Sequence, residues 1–187
     1  MDRADLSEPG AVGVIPTDTV YGVVARAADH EAVARLYELK KRDSKLGTVI
    51  AADMDQLEEL GLKHRYLKAV GQFWPGAVSV VIPASDPALG YLHRGRMSLA
   101  VRIPAGKELQ AKLRKTGPLL TSSANRPGEP PATTVAEARK YFGDEVDFYV
   151  DGGDLSGRQP STIIRILDDA IEVLRPGAVK IDDDTIG

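Results

Sequence analysis

Segments with a helical repeat alternate with short strand-like segments along most of the 187-residue chain. A strand-like run, Val12 to Ile15, precedes a helix predicted from about His30 to Arg42, and another strand follows at Thr48 to Ala52. This order is typical of an α/β or α+β architecture, in which helices pack on a sheet. No internal repeat or linker interrupts the pattern, so residues 1–187 are predicted to form a single domain.

The other predicted elements follow the same order. Helices are predicted at 53–60, 65–74, 106–115 and 134–142, and strands at 78–82, 97–104, from 119 onward, at 146–150, and in a hairpin at 161–167 and 171–174. The segment 85–95 is predicted to be a loop because it contains a proline and two glycines.

The helix after residue 29 is predicted to be amphipathic. Asp29 is a suitable N-cap, and Val33, Leu36 and Tyr37 form an apolar stripe that continues to Lys40 at position i+7. Two interpretations of Lys40 remain open. In the first, its alkyl chain covers apolar surface and its ammonium reaches solvent at the edge of the buried stripe. In the second, its ammonium points into a cleft beside the sheet as a binding cation.

The composition excludes several kinds of site. The chain has no cysteine, which rules out disulfides, thiolate nucleophiles and cysteine-bound zinc, and its three histidines are scattered. No apolar run approaches the ~20 residues of a membrane span, and the N-terminus does not resemble a signal peptide. We therefore expect a cytoplasmic protein with no membrane contact. The net charge of −3 argues against a protein whose main task is to grip nucleic acid.

Two short segments are dense in hydrogen-bonding side chains. The polar turn, Pro16 to Gly22, follows the first strand, and Thr121 to Asn125 follows two leucines. Taken alone, the polar turn is equally compatible with a turn that satisfies its own backbone and with a ligand-binding segment. Strand alternation places Ser98 with Arg102 on one face, and it places Thr121, Ser123 and Asn125 on one face if that strand continues.

The sequence shows no Ser-His-Asp set, no carboxylate pair and no phosphate-binding loop of the Gly-x-x-x-x-Gly-Lys-Ser/Thr type. It offers hydroxyl groups together with the cations Lys40, Arg42, Arg102 and Arg175. Such residues suit the electrostatic holding of phosphates and carboxylates. The residues alone leave two possibilities open, a catalytic site and an anion-binding pocket without chemistry.

Eight short motifs, in the same order and spanning about residues 12–179, resemble those of the YrdC family. They are Pro16-Thr-Asp-Thr-Val-Tyr-Gly22, Lys40-Lys-Arg42, Phe73-Trp-Pro-Gly76, Leu99-Ala-Val-Arg-Ile-Pro104, Ser122-Ser-Ala-Asn125, Asp151-Gly-Gly153, Pro160-Ser-Thr-Ile163 and Leu174-Arg-Pro-Gly177. The resemblance implies a single-domain twisted mixed sheet, flanked by helices, with a large concave cleft.

The resemblance also implies an activity, that of threonylcarbamoyl-AMP synthases. These nucleotidyltransferases convert L-threonine, bicarbonate or CO2, and ATP into threonylcarbamoyl-AMP and pyrophosphate, with Mg²⁺ accompanying ATP. The product serves N6-threonylcarbamoyladenosine modification of tRNA, so the implied partners are the downstream tRNA threonylcarbamoyl transferase machinery and, through direct contact, tRNA or another RNA.

The family's functional residues map onto this sequence by motif. The resemblance implies catalytic roles for Lys40, Arg42, Ser123 and Asn125. It implies threonine binding by Thr19, Arg102, Thr121 and Ser161, and ATP binding by Arg42, Ser98, Ser123, Asn125 and Arg175. No protein side chain is predicted to be a metal ligand.

The chain departs from the family pattern in places, and other functions compete. Asp43 stands where members usually have arginine, and Thr48 to Ala51 lacks a histidine common in that strand. The main alternative is a non-catalytic YrdC-fold protein that binds double-stranded RNA or tRNA. The acidic net charge opposes it. A hydrogenase-maturation carbamoyltransfer domain is disfavoured because cysteine zinc motifs are absent.

Overall fold

The computed structural model describes residues 5–41, 46–168 and 170–182. Within these residues the chain forms six α-helices and nine strands. The helices are α1 His30–Leu39, α2 Met54–Leu60, α3 His64–Val70, α4 Gly90–His93, α5 Lys107–Thr116 and α6 Val135–Phe142. The strands are β1 Val12–Ile15, β2 Gly22–Arg26, β3 Thr48–Ile50, β4 Val78–Pro83, β5 Ser98–Arg102, β6 Leu119–Ser123, β7 Phe148–Tyr149, β8 Thr162–Leu167 and β9 Ala170–Arg175.

The strands form one mixed sheet in the order β7-β1-β2-β6-β3-β5-β4-β8-β9. Three neighbouring pairs are parallel (β1 with β7, β3 with β5, and β4 with β8), and the other five pairs are antiparallel. The prediction of an α/β fold with a mixed sheet flanked by helices is therefore confirmed.

Helix α1 shows how local sequence directs packing. The Asp29 side chain accepts a hydrogen bond from the Ala32 N–H at 3.0 Å and caps the helix, as predicted. The apolar stripe of Val33, Leu36 and Tyr37 is fully buried. The helix ends at Leu39, three residues before the predicted end at Arg42, and Arg42 lies outside the described residues.

The two faces of the sheet differ in what covers them. One face packs against α1 to α4 in the main core, where strand residues such as Val23, Val101 and Leu120 meet helix residues. The opposite face is covered at one end by Leu109 and Leu113 of α5. The rest of that second face is the floor of a cleft.

The structure corrects the predicted elements in several places. Strand β2 was not predicted, and α4 lies inside the segment predicted to be a loop. The helix predicted at 65–74 ends at Val70 and continues as a single 3-10 turn to Phe73. The strand predicted at 146–150 is reduced to Phe148–Tyr149. Within the described residues, no helix combines the length and apolar character needed to cross a membrane.

Candidate active site

The register of the sheet places one row of side chains across the floor of the cleft. Thr121 of β6 pairs with Thr48, which pairs with Ala100 of β5. Ala100 pairs with Val81, and Val81 pairs with Arg165 of β8. Because neighbouring strands are ~4.8 Å apart, this row of four spacings extends about 19 Å. A floor of this length accommodates a substrate much longer than an amino acid.

A cavity of about 520 Å³, here called the cleft cavity, lies over this row. Its lining draws on the polar turn and on strands from most of the sheet. The lining includes seven of the predicted site residues: Thr19, Ser98, Arg102, Thr121, Ser123, Ser161 and Arg175. Lys40 and Asn125, which were also predicted, are not part of this lining, and Arg42 lies outside the described residues.

The polar turn is both self-bonded and part of the cavity wall. Thr17 Oγ1 donates to the Val20 carbonyl at 2.5 Å and accepts from the Thr19 N–H at 3.2 Å. Thr17 and Thr19 are both buried, and both line the cleft cavity. The two interpretations that the sequence left open therefore describe the same segment. Thr17 stabilises the turn through its two backbone hydrogen bonds, and Thr19, next to it, lines the cavity.

The end of the polar turn is shaped by the close approach of β6. A Cβ atom on Gly22 would lie 2.6 Å from Thr121 Oγ1. Gly22 pairs with Ser123 across the two antiparallel strands. A glycine at this position therefore leaves the space that the Thr121 hydroxyl occupies at the cavity wall.

Arg102 enters the cavity wall already paired with a carboxylate. Its side chain is 3% exposed, and its Nη1 donates to both carboxylate oxygens of Asp18, at 2.9 and 2.8 Å. Nη1 also lies 3.3 Å from the Gly76 carbonyl. The sequence had suggested no role for Asp18. Its position within the polar turn was the only available signal, because its partner lies 84 residues away.

Lys40 is buried beneath the end of β6, with 1% of the residue exposed. Its Nζ donates to the carbonyl oxygens of Ser123 at 2.6 Å and Asn125 at 2.5 Å, and to Asn125 Oδ1 at 3.1 Å. Ser123 Oγ donates to the same Asn125 Oδ1 at 2.6 Å. The structure thus brings Lys40, Ser123 and Asn125 together, with the lysine holding the segment in which the other two lie.

The far end of the cleft is formed by two motifs that are distant from the polar turn in sequence. Arg175 Nη2 donates to the Ser161 carbonyl at 2.7 Å and lies 3.3 Å from Ser161 Oγ. Ser161 Oγ is 2.8 Å from Ser79 Oγ. Close packing supports this arrangement, since a Cβ on Gly177 would lie 2.4 Å from the Pro160 carbonyl oxygen.

Several cavity residues were not predicted. Thr48, Arg96 and Arg165 line the cleft cavity. Arg165 is paired with Glu172 at 2.6 Å on the β8–β9 hairpin. The eight sequence motifs contain neither Arg96 nor Arg165, and the alternation within β8 does not show which face of that strand lines a cleft. Among the described residues, no group of three acidic, histidine or cysteine side chains could hold a metal ion.

The site can be compared with known proteins. The Sua5/YciO/YrdC family model, described as telomere recombination, matches residues 5–177. The chain belongs to this family. The resemblance predicted from the eight motifs is confirmed.

Relatives within the family share a name. The threonylcarbamoyl-AMP synthase of Chromohalobacter salexigens is 40% identical over 160 residues, covering 82% of this chain and 85% of the relative. The threonylcarbamoyl-AMP synthase of Bacillus subtilis is 32% identical over 181 residues, covering 94% of this chain and 52% of the relative.

Solved structures of the family share this architecture. Sua5 from P. abyssi, complexed with L-threonine, superposes with a TM-score of 0.77 at 31% identity, covering 90% of this chain and 51% of that one. E. coli YciO gives a TM-score of 0.79 at 24% identity, covering 95% of this chain and 87% of that one, which supports the fold alone. The chain spans about half the length of the Bacillus and Pyrococcus proteins.

Proposed function

We propose that this Sua5/YciO/YrdC family member is a threonylcarbamoyl-AMP synthase. It converts L-threonine, bicarbonate or CO2, and ATP into threonylcarbamoyl-AMP and pyrophosphate. The observation that carries the proposal is the cleft cavity, in which one buried arginine and a set of hydroxyl groups line a single space of about 520 Å³. Relatives that match most of this chain carry the synthase name, and one neighbour in the family binds L-threonine.

The threonine subsite is proposed at the Arg102 end of the cavity. Arg102 would receive the α-carboxylate, because guanidinium groups bind carboxylates through two parallel N–H donors. Thr19 and Thr121 would contact the substrate's polar groups from the two sides of Gly22, with Ser161 from across the cleft. Hydroxyl groups can donate or accept, so they suit both the carboxylate and the hydroxyl of threonine.

The ATP subsite is proposed along the rest of the floor. Ser98 and Ser123 line the cavity as hydroxyl donors, and Arg175 lines it as a cation. Asn125 belongs to the same site through its hydrogen bond with Ser123. Arg42, implied by the family motif, remains part of the proposal as a cation for ATP.

The chemistry explains why such a site needs cations. The amine of threonine adds to CO2 with loss of a proton, or condenses with bicarbonate with loss of water, to give a negatively charged carbamate. A carbamate oxygen must then attack the electrophilic α-phosphorus within the negatively charged triphosphate of ATP, and pyrophosphate leaves. Two like charges at ~4 Å repel by about 4 kcal/mol at an effective dielectric constant of 20. Positive groups around the cleft offset this repulsion and hold both reactants in place.

Magnesium is proposed to enter as part of the substrate, bound to ATP. Mg²⁺ commonly binds one or two carboxylates together with substrate phosphates and water. No carboxylate is found among the described residues that line the cleft cavity. Phosphate oxygens and water are therefore its proposed ligands here.

The product is a mixed anhydride, which is an activated acyl donor. We propose that tRNA threonylcarbamoyl transferase machinery consumes it to form N6-threonylcarbamoyladenosine. The alternative, an RNA-binding protein without catalysis, is less well supported. The chain carries a net charge of −3, and its relatives are named as synthases.

The test measures pyrophosphate release by the purified chain with ATP, magnesium, bicarbonate and threonine. The proposal requires release that depends on threonine and forms threonylcarbamoyl-AMP. A Thr121→Val variant, which keeps the shape but removes a cavity hydroxyl, should raise the KM for threonine. Pyrophosphate release that continues unchanged without threonine would contradict the proposal. A melting-temperature shift with tRNA but none with ATP plus threonine would favour the RNA-binding alternative.

A further inference from the structure

Asp18 and Arg102 form a buried ion pair at the wall of the cleft cavity. The Asp18 side chain is 12% exposed and that of Arg102 is 3% exposed. Both carboxylate oxygens face a single nitrogen, Nη1. A pair this well buried is sensitive to the loss of either member, because the remaining charge would be left without compensation.

The pair is oriented with the arginine toward the cavity. Arg102 lines the cleft cavity, whereas Asp18 does not. Nη1 is directed toward Asp18 and the Gly76 carbonyl, neither of which lines the cleft cavity. Among the residues that the structure describes, the hydrogen bonds of the Arg102 side chain are all made by Nη1. The second edge of the guanidinium therefore remains available to a ligand.

Asp18 is itself held in place by the segment that follows β5. Its Oδ2 lies 3.3 Å from the Ala105 N–H. Gly106 comes next, and a Cβ atom there would lie 3.3 Å from Asp18 Cβ. Asp18 is thus held by its ion pair and by the Ala105 N–H, and a side chain at position 106 would have to displace it by a few tenths of an ångström.

We propose that Asp18 is a positioning residue that orients Arg102 so that its Nε–Nη2 edge receives the α-carboxylate of the amino-acid substrate. This inference rests on the proposed function, because it assigns threonine to the Arg102 end of the cavity. An arginine held in one rotamer loses less conformational entropy when a ligand binds, and binding is correspondingly tighter.

The opposite effect, in which Asp18 competes with the substrate carboxylate, is weaker for two reasons. Asp18 does not line the cleft cavity, whereas Arg102 does. Threonine is also a zwitterion without net charge, so the repulsion between Asp18 and its carboxylate is offset by attraction to its ammonium group. Orientation of the guanidinium is therefore the dominant contribution.

Calorimetric titration of the full chain with L-threonine, and separately with ATP, tests the inference. Asp18→Asn keeps the shape of the side chain but removes its charge. We expect it to weaken threonine binding about tenfold and to leave ATP binding unchanged. Gly106→Ala is a second variant that keeps both charges while displacing Asp18. It should weaken threonine binding in the same direction, and it replaces Asp18→Asn if that variant does not fold.

Asp147→Asn is the matched control, because it breaks another Asp–Arg pair, with Arg35, away from the cleft cavity. It should lower stability without changing the affinity for threonine. Unchanged or tighter threonine binding in the Asp18 and Gly106 variants would overturn the inference, as would an equal loss of threonine and ATP binding. A wild-type chain that binds no threonine would overturn it too. Threonine binding without pyrophosphate release would instead overturn the proposed function and leave this inference standing.

Discussion

Replacing Lys40 with methionine tests whether this lysine acts by holding the end of β6. Methionine is unbranched and of similar length, so it fills the space of the alkyl chain but carries no donor. In the structure, Lys40 Nζ meets three oxygens at 2.5 to 3.1 Å, two on Asn125 and one on Ser123. Lys40→Met removes all three of these bonds, although Asn125 Oδ1 still accepts from Ser123 Oγ at 2.6 Å and the Ser123 carbonyl still accepts from the Asn125 N–H at 2.9 Å.

The expected loss of stability follows from those contacts. A hydrogen bond to a charged group contributes about 1.5–3 kcal/mol. The three bonds do not add fully, and burying an ammonium has its own cost, so we expect a net loss of about 3 kcal/mol. For a domain of this size each kcal/mol lowers the melting temperature by about 2–4 °C. Lys40→Met should therefore melt roughly 6–12 °C lower.

The same substitution should reduce catalysis. Without the lysine, the segment that carries Ser123 Oγ and the Asn125 side chain is no longer fixed. A displacement of about 1 Å in a positioning group can reduce the rate about 100-fold, and we expect a loss of that size in threonine-dependent pyrophosphate release. Urea denaturation gives the free energy of unfolding, and calorimetry gives the affinity for ATP, which should also fall.

Lys41→Met is the matched control, since Lys41 is exposed and follows Lys40 directly. It should leave the free energy of unfolding close to that of the wild type. The result that would refute the reasoning is a Lys40→Met variant with wild-type stability and ATP affinity but no turnover. In that case Nζ would act on the substrates directly, and the contacts with Ser123 and Asn125 would not be its main role.

Two further predictions concern packing and pH. Gly22→Ala would place a Cβ 2.6 Å from Thr121 Oγ1, so it should raise the KM for threonine and cost about 1–3 kcal/mol of stability. Gly90→Ala is the control, because its Cβ would meet nothing within 4 Å, and it should leave the KM unchanged without any loss of stability. Burial tends to raise the pKa of Asp147, but hydrogen bonds from Arg35 and from a backbone N–H of β1 outweigh it and lower that pKa. Because the folded-state pKa is depressed, the stabilisation is complete above about pH 4 and is lost as the pH falls through the folded-state pKa, so the difference in urea stability between wild type and Asp147→Asn should shrink over that acid range.

Strand β5 shows what local sequence could predict. Its alternation placed Leu99 and Val101 on one face and Ser98 and Arg102 on the other. The structure buries the first two in the main core, and the last two line the cleft cavity. The prediction succeeded because side chains of a strand point to opposite faces whatever the rest of the fold is.

Strand β2 shows where local sequence was insufficient. Gly22–Arg26 follows the polar turn directly, and four of its five residues are buried, so it has no alternation to mark it as a strand. Its partner β6 begins at Leu119, far along the chain. The pairing that places Gly22 opposite Ser123 therefore depends on the assembled sheet and not on either segment alone.

The charged residues of the site also show that local sequence does not predict which atoms a side chain contacts. The helical repeat placed Lys40 at the end of a buried stripe, which suggested either a hydrated rim or a cation in the cleft. Its Nζ instead meets oxygens 83 and 85 residues away in the chain. Asp18 likewise finds Arg102 through the fold, 84 residues away. A sequence pattern can place a charge on a face, but the atoms it contacts are set by the tertiary structure. Sequence motifs therefore indicate which residues surround the cleft. The structure adds which of them line it, such as Arg102, and which do not line it but bond to lining residues, such as Asp18 and Lys40.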